Sequence, residues 1–318
     1  MDIRVGEIRT LEAKSVTLNG FIAAIYINTI DGIYPTGANM FQPELMQVRA
    51  VLTRGGKQTT LYNLNLRELK AKDFFYTHRF PTLLIGHGLY GNGKAIEAER
   101  FGLGLMNLKG EDKIELEVEL KAGFFDVECS LANSYVRIEP FKAIGIEYSI
   151  PVTTAIILEP NIETTKLVLG NGISKVLFYA KDSIDTPIDG QQAIASMAVR
   201  CDKINRLEKY IDLINRRYDE FHTQEEGFLR GENIMLHDGQ ILNNLEIDLD
   251  YLAGKITGSK YKILITREVT SAEQLAVAEA TNNEHAYENA VAMGVKLTSA
   301  QVADYGKNNA IKAANLTA

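Results

Sequence analysis

The feature that most constrains this chain is a weak, collinear similarity between its two halves. Met46–Ala50 resembles Met197–Cys201, and Asp73–Thr77 resembles Asp219–Thr223. Leu116–Leu120 resembles Leu245–Leu249, and Tyr135–Ile138 resembles Tyr261–Leu264. The offsets are 151, 146, 129 and 126, and the blocks keep the same order in both halves. Any one alternating block resembles another; four in order point to a duplicated unit of about 130–150 residues. The drift in offset places an insertion in the first half, across Arg79–Gly110, where glycines cluster.

The repeated unit reads as β-structure. Ile114, Leu116, Val118 and Leu120 alternate with Glu115, Glu117 and Glu119, the period of a strand with one buried and one wet face. Val48–Arg54 and Gln58–Leu64 flank Gly55-Gly56 and predict a hairpin. Thr165–Leu169 and Ile173–Tyr179 flank Gly170-Asn171-Gly172 and predict a second. Leu120 leads through Ala122-Gly123 to Phe124–Leu131, a third. Roughly fifteen such strands with this turn spacing predict sandwich or barrel units. A unit of this length with short strands and one helix fits an eight-stranded jelly roll.

Helical signals are few. Ile204, Leu207, Ile211, Ile214, Tyr218 and Phe221 recur at spacings of three and four, predicting an amphipathic helix over 204–222 that packs on a sheet. Asn65–Phe75 is a weaker candidate in the first half. Ser271–Met293 is rich in Ala and Glu, with Ser271 as N-cap and Gly294 as stop, and a short helix plus tail follows. The expected fold is therefore all-β with minor helices. Its parts are a first jelly roll over 1–147 with the Gly-rich insertion around 79–110, a second over 148–270 with the helix around 204–222, and a helical C-terminal arm over 271–318.

Composition narrows the function class. The 318 residues carry 34 basic and 41 acidic side chains, a net charge of -7. That argues against a protein that grips nucleic acid with its whole surface. Cys129 and Cys201 are the only cysteines, too few for a disulfide framework or a four-thiolate zinc site. The start, MDIRVGEIRTLEAKS, has no apolar stretch with a cleavage site, so no signal peptide is expected. The apolar windows Gly20–Ile30 and Ser149–Leu158 fall short of the ~20 residues of a membrane span and read as core strands. A soluble protein made in a cytoplasm is expected.

Chemical motifs are sparse. Gly88-Leu89-Tyr90-Gly91-Asn92-Gly93-Lys94 matches the phosphate-loop spacing and leads into a possible short helix, Ala95–Phe101. Ala95 stands where the metal-binding hydroxyl belongs, and Val176–Asp182 does not supply the second acidic motif. A flexible Gly loop is favoured over a nucleotide site. His78, His87, His222, His237 and His285 show no ligand spacing. Glu115, Glu117, Glu119, Glu246, Asp248 and Asp250 would bind Ca²⁺ only if carboxylates from several strands converged; a solvated face is the favoured reading. Ser130 and Ser134 have no base nearby in sequence. No catalytic residue, cofactor site or cofactor is assigned, and the metal question stays open.

The tandem halves, the strand spacing and the helix over 204–222 resemble the double jelly-roll major capsid proteins of adenoviruses and of tailless icosahedral phages with an internal membrane. The resemblance covers about residues 15 to 270. It implies a non-enzymatic virion protein that trimerises into pseudo-hexagonal capsomers. Its implied partners are further copies, neighbouring capsomers, penton or minor capsid proteins and an internal membrane vesicle, with no direct nucleic-acid contact. The alternatives are a nucleotide-binding enzyme using Gly88–Lys94 and a carbohydrate-binding jelly roll, the latter weakened by the absence of Trp.

Overall fold

The computed structural model describes residues 1–32, 40–69, 72, 94–145, 147, 149–158, 164–181, 194–201, 204–209, 233–242, 244–251 and 260–269. The chain divides into two compact units. One is Met1–Glu147 with Val152–Thr154; the other is Tyr148–Pro151 with Ala155–Ala318.

The first unit holds β1 (Asp2–Ile3), β2 (Ile8–Lys14), β3 (Thr17–Asn28), β4 (Met46–Arg54), β5 (Lys57–Asn65), β6 (Lys94–Asn107), β7 (Lys113–Leu120) and β8 (Tyr135–Lys142). The following strands are β9 (Ile150–Leu158), β10 (Thr164–Gly170), β11 (Ile173–Lys181), β12 (Ile194–Cys201), β13 (Ile204–Lys209), β14 (Asn233–Leu242), β15 (Leu245–Tyr251) and β16 (Lys260–Val269). The first eight form sheets β1-β8-β3-β6 and β2-β7-β4-β5. The last eight form β9-β16-β11-β14 and β10-β15-β12-β13. Raising every label of the first pair by eight gives the second pair, so the two units share one topology of two four-stranded antiparallel sheets.

The repeat read from sequence coincides with this equivalence, and the register does too. Three of its four blocks fall on β4 and β12, β7 and β15, and β8 and β16. Met46 lies opposite Leu120, Val48 opposite Val118 and Arg49 opposite Glu117. In the second unit Met197 lies opposite Leu249, Val199 opposite Ile247 and Arg200 opposite Glu246. Each pair is the image of the other under the block alignment. A one-residue slip in either half would turn every inward side chain outward, so matching registers reflect the same buried pattern. The fourth block, Asp73–Thr77 and Asp219–Thr223, lies outside the described residues.

The alternation fills the interior of each unit. Leu18, Phe21, Ile25, Val136 and Ile138 from one sheet and Val48, Leu116, Val118 and Leu120 from the other are all buried. In the second unit Leu167, Leu169, Ile247, Leu249, Ile263 and Ile265 are buried. Each fully buried Leu, Ile or Phe contributes about 1.5–3 kcal/mol of transfer free energy, so the alternating stripe is the dominant folding term.

Several local expectations change. The β4–β5 hairpin forms as read, with Arg54 opposite Lys57 and Gly55 and Gly56 both at positive φ. The other two hairpins do not form. β10 pairs with β15, whereas β11 pairs with β14 and β16, so Gly170-Asn171-Gly172 carries the chain from one sheet to the other. Phe124–Leu131 is no strand; it makes only the isolated bridges Phe41↔Phe125 and Thr29↔Cys129 before the chain enters β8. Turn chemistry marks where a chain reverses but does not say whether the next strand stays in the same sheet.

The helix expected over 204–222 begins as strand: Ile204–Lys209 pairs with β12, Cys201 opposite Ile204 and Ser196 opposite Lys209. Sheet pairing overrides the local helical periodicity there, and 210–222 lies outside the described residues. Ala95–Phe101 is likewise strand, within β6, not helix. Residues 94–107 of the presumed insertion are thus a core strand equivalent to β14. Part of the offset drift lies elsewhere: eleven residues separate Ala50 from its partner Tyr62, and two separate Cys201 from Ile204, so the first hairpin is nine residues longer. The candidate at Asn65–Phe75 is helical at 66–69 and 72. Asn65 and Glu68 form a reciprocal capping box: the Glu68 N–H donates to Asn65 Oδ1 at 2.9 Å and the Asn65 N–H to Glu68 Oε2 at 3.0 Å. The helical arm expected over 271–318 lies outside the described residues.

Candidate functional site

The alternation that buries one face of β7 and β15 turns their carboxylates outward, and the strands beside them decide what those carboxylates meet. Lys113 Nζ lies 2.8 Å from Glu115 and 3.2 Å from Glu12, and Glu12 lies 2.8 Å from Lys14. Hydrogen bonds from Lys14 and then Lys113 lower the Glu12 pKa; hydrogen bonds to Glu115 and Glu12 raise that of Lys113. In the second unit Lys166 pairs with Glu246 at 2.8 Å, lowering its pKa, and Arg200 pairs with Asp248 at 2.7 Å. The Ser196 and Thr164 hydroxyls donate to Asp250 at 2.5 and 3.2 Å. Lysine, arginine and hydroxyl donors thus hold Glu12, Glu115, Glu246, Asp248 and Asp250, whereas Glu117 and Glu119 have no side-chain partner among the described residues. Among the described residues no group of three or more His, Cys, Asp or Glu converges on one point.

The other sequence candidates have structural roles. Buried Ser134 accepts from the Asn28 N–H at 3.0 Å and donates to the Asn28 carbonyl at 3.3 Å, pinning the end of β3. The Ser130 N–H also donates to that carbonyl, at 2.7 Å. Cys129 is buried, its thiol 3.5 Å from the Met40 carbonyl, and burial pushes its pKa up, away from a reactive thiolate. Cys201 is also a free thiol. His237 lies in β14 opposite Val176. His78, His87, His222 and His285 lie outside the described residues, as do Gly88–Gly93. Lys94 opens β6 opposite Asn28, so the glycine loop runs into a strand and not the helix N-terminus that a phosphate loop requires.

Two clusters were not legible in the sequence. Arg54 donates to Asp112 at 3.0 Å, to both Glu147 oxygens at 2.5 and 3.1 Å, and to the Asn107 carbonyl at 3.0 Å. It joins the tip of β4 to the end of β6 and to Glu147 beyond β8. At the other cluster Arg137 grips Asp2 through two bonds of 2.7 and 2.9 Å. Its guanidinium lies over the rings of Tyr26 and Tyr135, which stack with centroids 4.5 Å apart. Each partner comes from a distant part of the chain, so no local spacing betrays it.

The Asp2 pairing carries a pH expectation. The hydrogen bond from Arg137 holds the Asp2 carboxyl below its ordinary value. A depressed folded-state pKa contributes stability that is complete above the unfolded value and is lost as pH falls through the folded one. Below the ordinary carboxylate range, β1 should therefore loosen. The Ile138 amide, which donates to the Met1 carbonyl at 2.8 Å, should lose exchange protection after correction for intrinsic rates, and Asp2→Asn should show that loss at neutral pH. Unchanged protection in Asp2→Asn would mean that the backbone pairing and buried Ile3 suffice to hold the strand.

No family model matches the sequence, and no curated protein matches it at a significant level. Solved structures do. The major capsid protein (MCP) of Sulfolobus Turreted Icosahedral Virus (STIV) superposes with a TM-score of 0.54 at 12% identity, over 86% of this chain and 95% of that one. The atomic structure of the same virus gives a chain with TM-score 0.50 at 13% identity, over 89% of this chain and 99% of that one. The chain is a double jelly-roll protein. The major capsid protein P2 from Bacteriophage PM2 has a TM-score of 0.49 at 12% identity, over 84% and 93% of the two chains. At these identities the likeness concerns the double jelly-roll fold, and for the two STIV chains it spans nearly the whole length of the counterpart. The strand order gives the same answer independently, since two sheets of four antiparallel strands occur twice in succession.

Proposed function

We propose that this double jelly-roll chain is a major capsid protein of an icosahedral virus and is located in the virion. The observation that carries the reading is the tandem repetition of one jelly-roll topology, superposable over nearly the whole of the STIV MCP. A fold alone never fixes function, so three further features matter. Most of the described outward carboxylates are held by Lys, Arg, Ser or Thr side chains of the same chain, Glu117 and Glu119 excepted, and among the described residues no three His, Cys, Asp or Glu converge on one point. Ser130, Ser134 and Cys129 are engaged in holding the chain between β7 and β8. The net charge of -7 suits a shell protein that does not itself neutralise a genome. Such a protein acts by assembly through complementary symmetric interfaces, not by turnover.

In this reading three copies form the capsomer, because two like units per chain place six around a threefold axis. Neighbouring capsomers, penton or minor capsid proteins and an internal membrane vesicle are its surroundings. The test is the native mass. Light scattering should return three times the 35.3 kDa subunit, with hexagonal outlines by negative-stain microscopy. A monomer that stays monomeric in assembly buffer and melts higher with a small-molecule substrate would overturn the reading.

A further inference from the structure

We propose that the outward face of the β2-β7-β4-β5 sheet is a self-association surface, on which two copies of this chain pair about a twofold axis parallel to the strands and midway between β7 and β4. The inference goes beyond the capsid reading, whose capsomer needs threefold contacts, and does not depend on it.

The first observation is an asymmetry between duplicated faces. Arg49–Glu117 and Arg200–Glu246 are equivalent cross-strand positions. In the second unit both members are satisfied within the chain, Arg200 by Asp248 and Glu246 by Lys166. In the first unit the equivalent pair is exposed, and neither Arg49, Glu117 nor Glu119 makes a side-chain ion pair or hydrogen bond among the described residues. Beside them on β2, Ile8 is 64% exposed. One copy of the repeated charge pattern has been closed off, and the other left open.

The second observation is charge complementarity across the face. Four rows of one parity cross the sheet: Ile8, Glu119, Gln47 and Asn65; Thr10, Glu117, Arg49 and Asn63; Glu12, Glu115, Val51 and Thr60; and Lys14, Lys113, Thr53 and Gln58, of which Val51 and Asn65 are covered by their neighbours and Ile8 would lie across from Asn65. A twofold between β7 and β4 exchanges those two strands, and exchanges β2 with β5. Glu117 of each copy then faces Arg49 of the other, and Glu119 faces Gln47. Glu115 and Lys113 face Val51 and Thr53, while Glu12 and Lys14 face Thr60 and Gln58. Nowhere in the four rows do like charges meet. Sheets packed face to face lie ~10 Å apart, a gap that an Arg and a Glu side chain bridge together. An isologous contact of this kind forms its central ion pair twice.

The face is small. Four strands of this length at ~4.8 Å spacing cover about 500 Å² per copy, below the ~800 Å² of a standard interface. The pair should therefore be weak, salt-sensitive and strengthened where a multimer presents several such faces at once.

The test uses full-length chain in sedimentation equilibrium at low salt, up to about 1 mM, where a contact of this size pairs. The wild type should show a species of twice the basal mass, lost at high salt. Arg49→Glu and Glu117→Arg should each weaken it by roughly tenfold or more, because like charges then face each other. Mixing the two variants should restore it. In the mixed pair the introduced acid at position 49 of one chain faces the introduced base at position 117 of the other, and the remaining native Glu117 faces the remaining native Arg49. Arg200→Glu should leave self-pairing unchanged. Circular dichroism melts show that each variant is folded. Absence of a doubled species, insensitivity to either reversal, or no recovery on mixing would overturn the proposal, as would a doubled species lost in Arg200→Glu. A threefold basal mass without doubling would leave the capsid reading standing and this one refuted. Binding of a different protein to the face with no self-pairing would do the same.

Discussion

Replacing Gly20 with alanine is expected to destabilise the first unit by about 3 kcal/mol, one of the largest losses available to a single methyl group here. Two effects act together. Gly20 has φ +123, a conformation that L side chains rarely adopt. A Cβ built there would also overlap the carbonyl oxygen of Phe101 across the β3–β6 pairing. That oxygen belongs to backbone and cannot swing aside as a side chain would. The register breaks between Leu18 and Gly20 against β6 and between Leu18 and Phe21 against β8, so the glycine lies within the irregularity on both sides of β3. Gly55 is the control. Its φ is +54 and nothing lies within 4 Å of the added Cβ, so alanine there costs only the left-handed backbone term, about 1 kcal/mol. Urea unfolding of both variants separates the clash from the backbone preference. Equal losses at the two positions would show that the Phe101 approach is not what requires glycine at position 20.

Gly20 also illustrates what a sequence of this kind discloses. Thr17–Asn28 is recognisable as an apolar strand, but the need for glycine within it depends on Phe101, about 80 positions away and on another strand. The same divide runs through the fold. Alternation along β7 declares its buried face, because strand period and burial are properties of consecutive residues. The duplication is legible for a related reason: the inward pattern must recur if the topology recurs, and the blocks even carry the pairing register of β4 with β7 and β12 with β15. What local pattern cannot carry is the choice of sheet. Among the described strands only β4–β5 and β12–β13 are sequence neighbours that pair with one another. Every hairpin inferred from glycines elsewhere was therefore a sheet crossing, as at Gly170-Asn171-Gly172. Ile204–Lys209 shows the complementary limit. Its first residues share the spacing of the amphipathic run that follows, and the ladder with β12 decides their state. At the level of function, the residues that looked chemical were those with local motifs, Gly88–Lys94 above all. The exposed Arg49–Glu117 pair acquires meaning only when set against its internally satisfied counterpart.

The buried ion cluster at Arg54 should be the second large effect. Glu147→Gln is expected to cost about 2 kcal/mol, and Arg54→Ala a comparable amount. The Glu147 side chain is 5% exposed and accepts two bonds from Arg54 and one from the Asn107 N–H at 2.6 Å. Glutamine has the same shape, yet it brings two N–H donors where the site needs acceptors. It leaves either the Asn107 amide or one guanidinium nitrogen without its bond. The loss stays below the 3–5 kcal/mol of a fully buried pair, because Arg54 is 23% exposed and keeps Asp112 at 3.0 Å. Hydrogen bonding to Glu147 is the main cause of the raised Arg54 pKa, so the guanidinium remains charged in every variant and the comparison is not confounded by its titration. A double-mutant cycle isolates the pair: if Arg54 and Glu147 act as one unit, the combined variant should lose about 1–2 kcal/mol less than the sum of the singles. The consequence is wider than one contact. Arg54 ends the strand of one sheet, Asn107 ends a strand of the other, and Glu147 is the last residue of the contiguous first segment. Without the carboxylate the tie at that end of the sandwich is reduced to the Arg54 bond to the Asn107 carbonyl, so amide exchange should rise at Asn107, whose N–H loses its acceptor, before it rises in the middle of β7. Additive losses, with exchange unchanged at the β6 end, would instead make the cluster a surface ornament of a sandwich already closed by its apolar core.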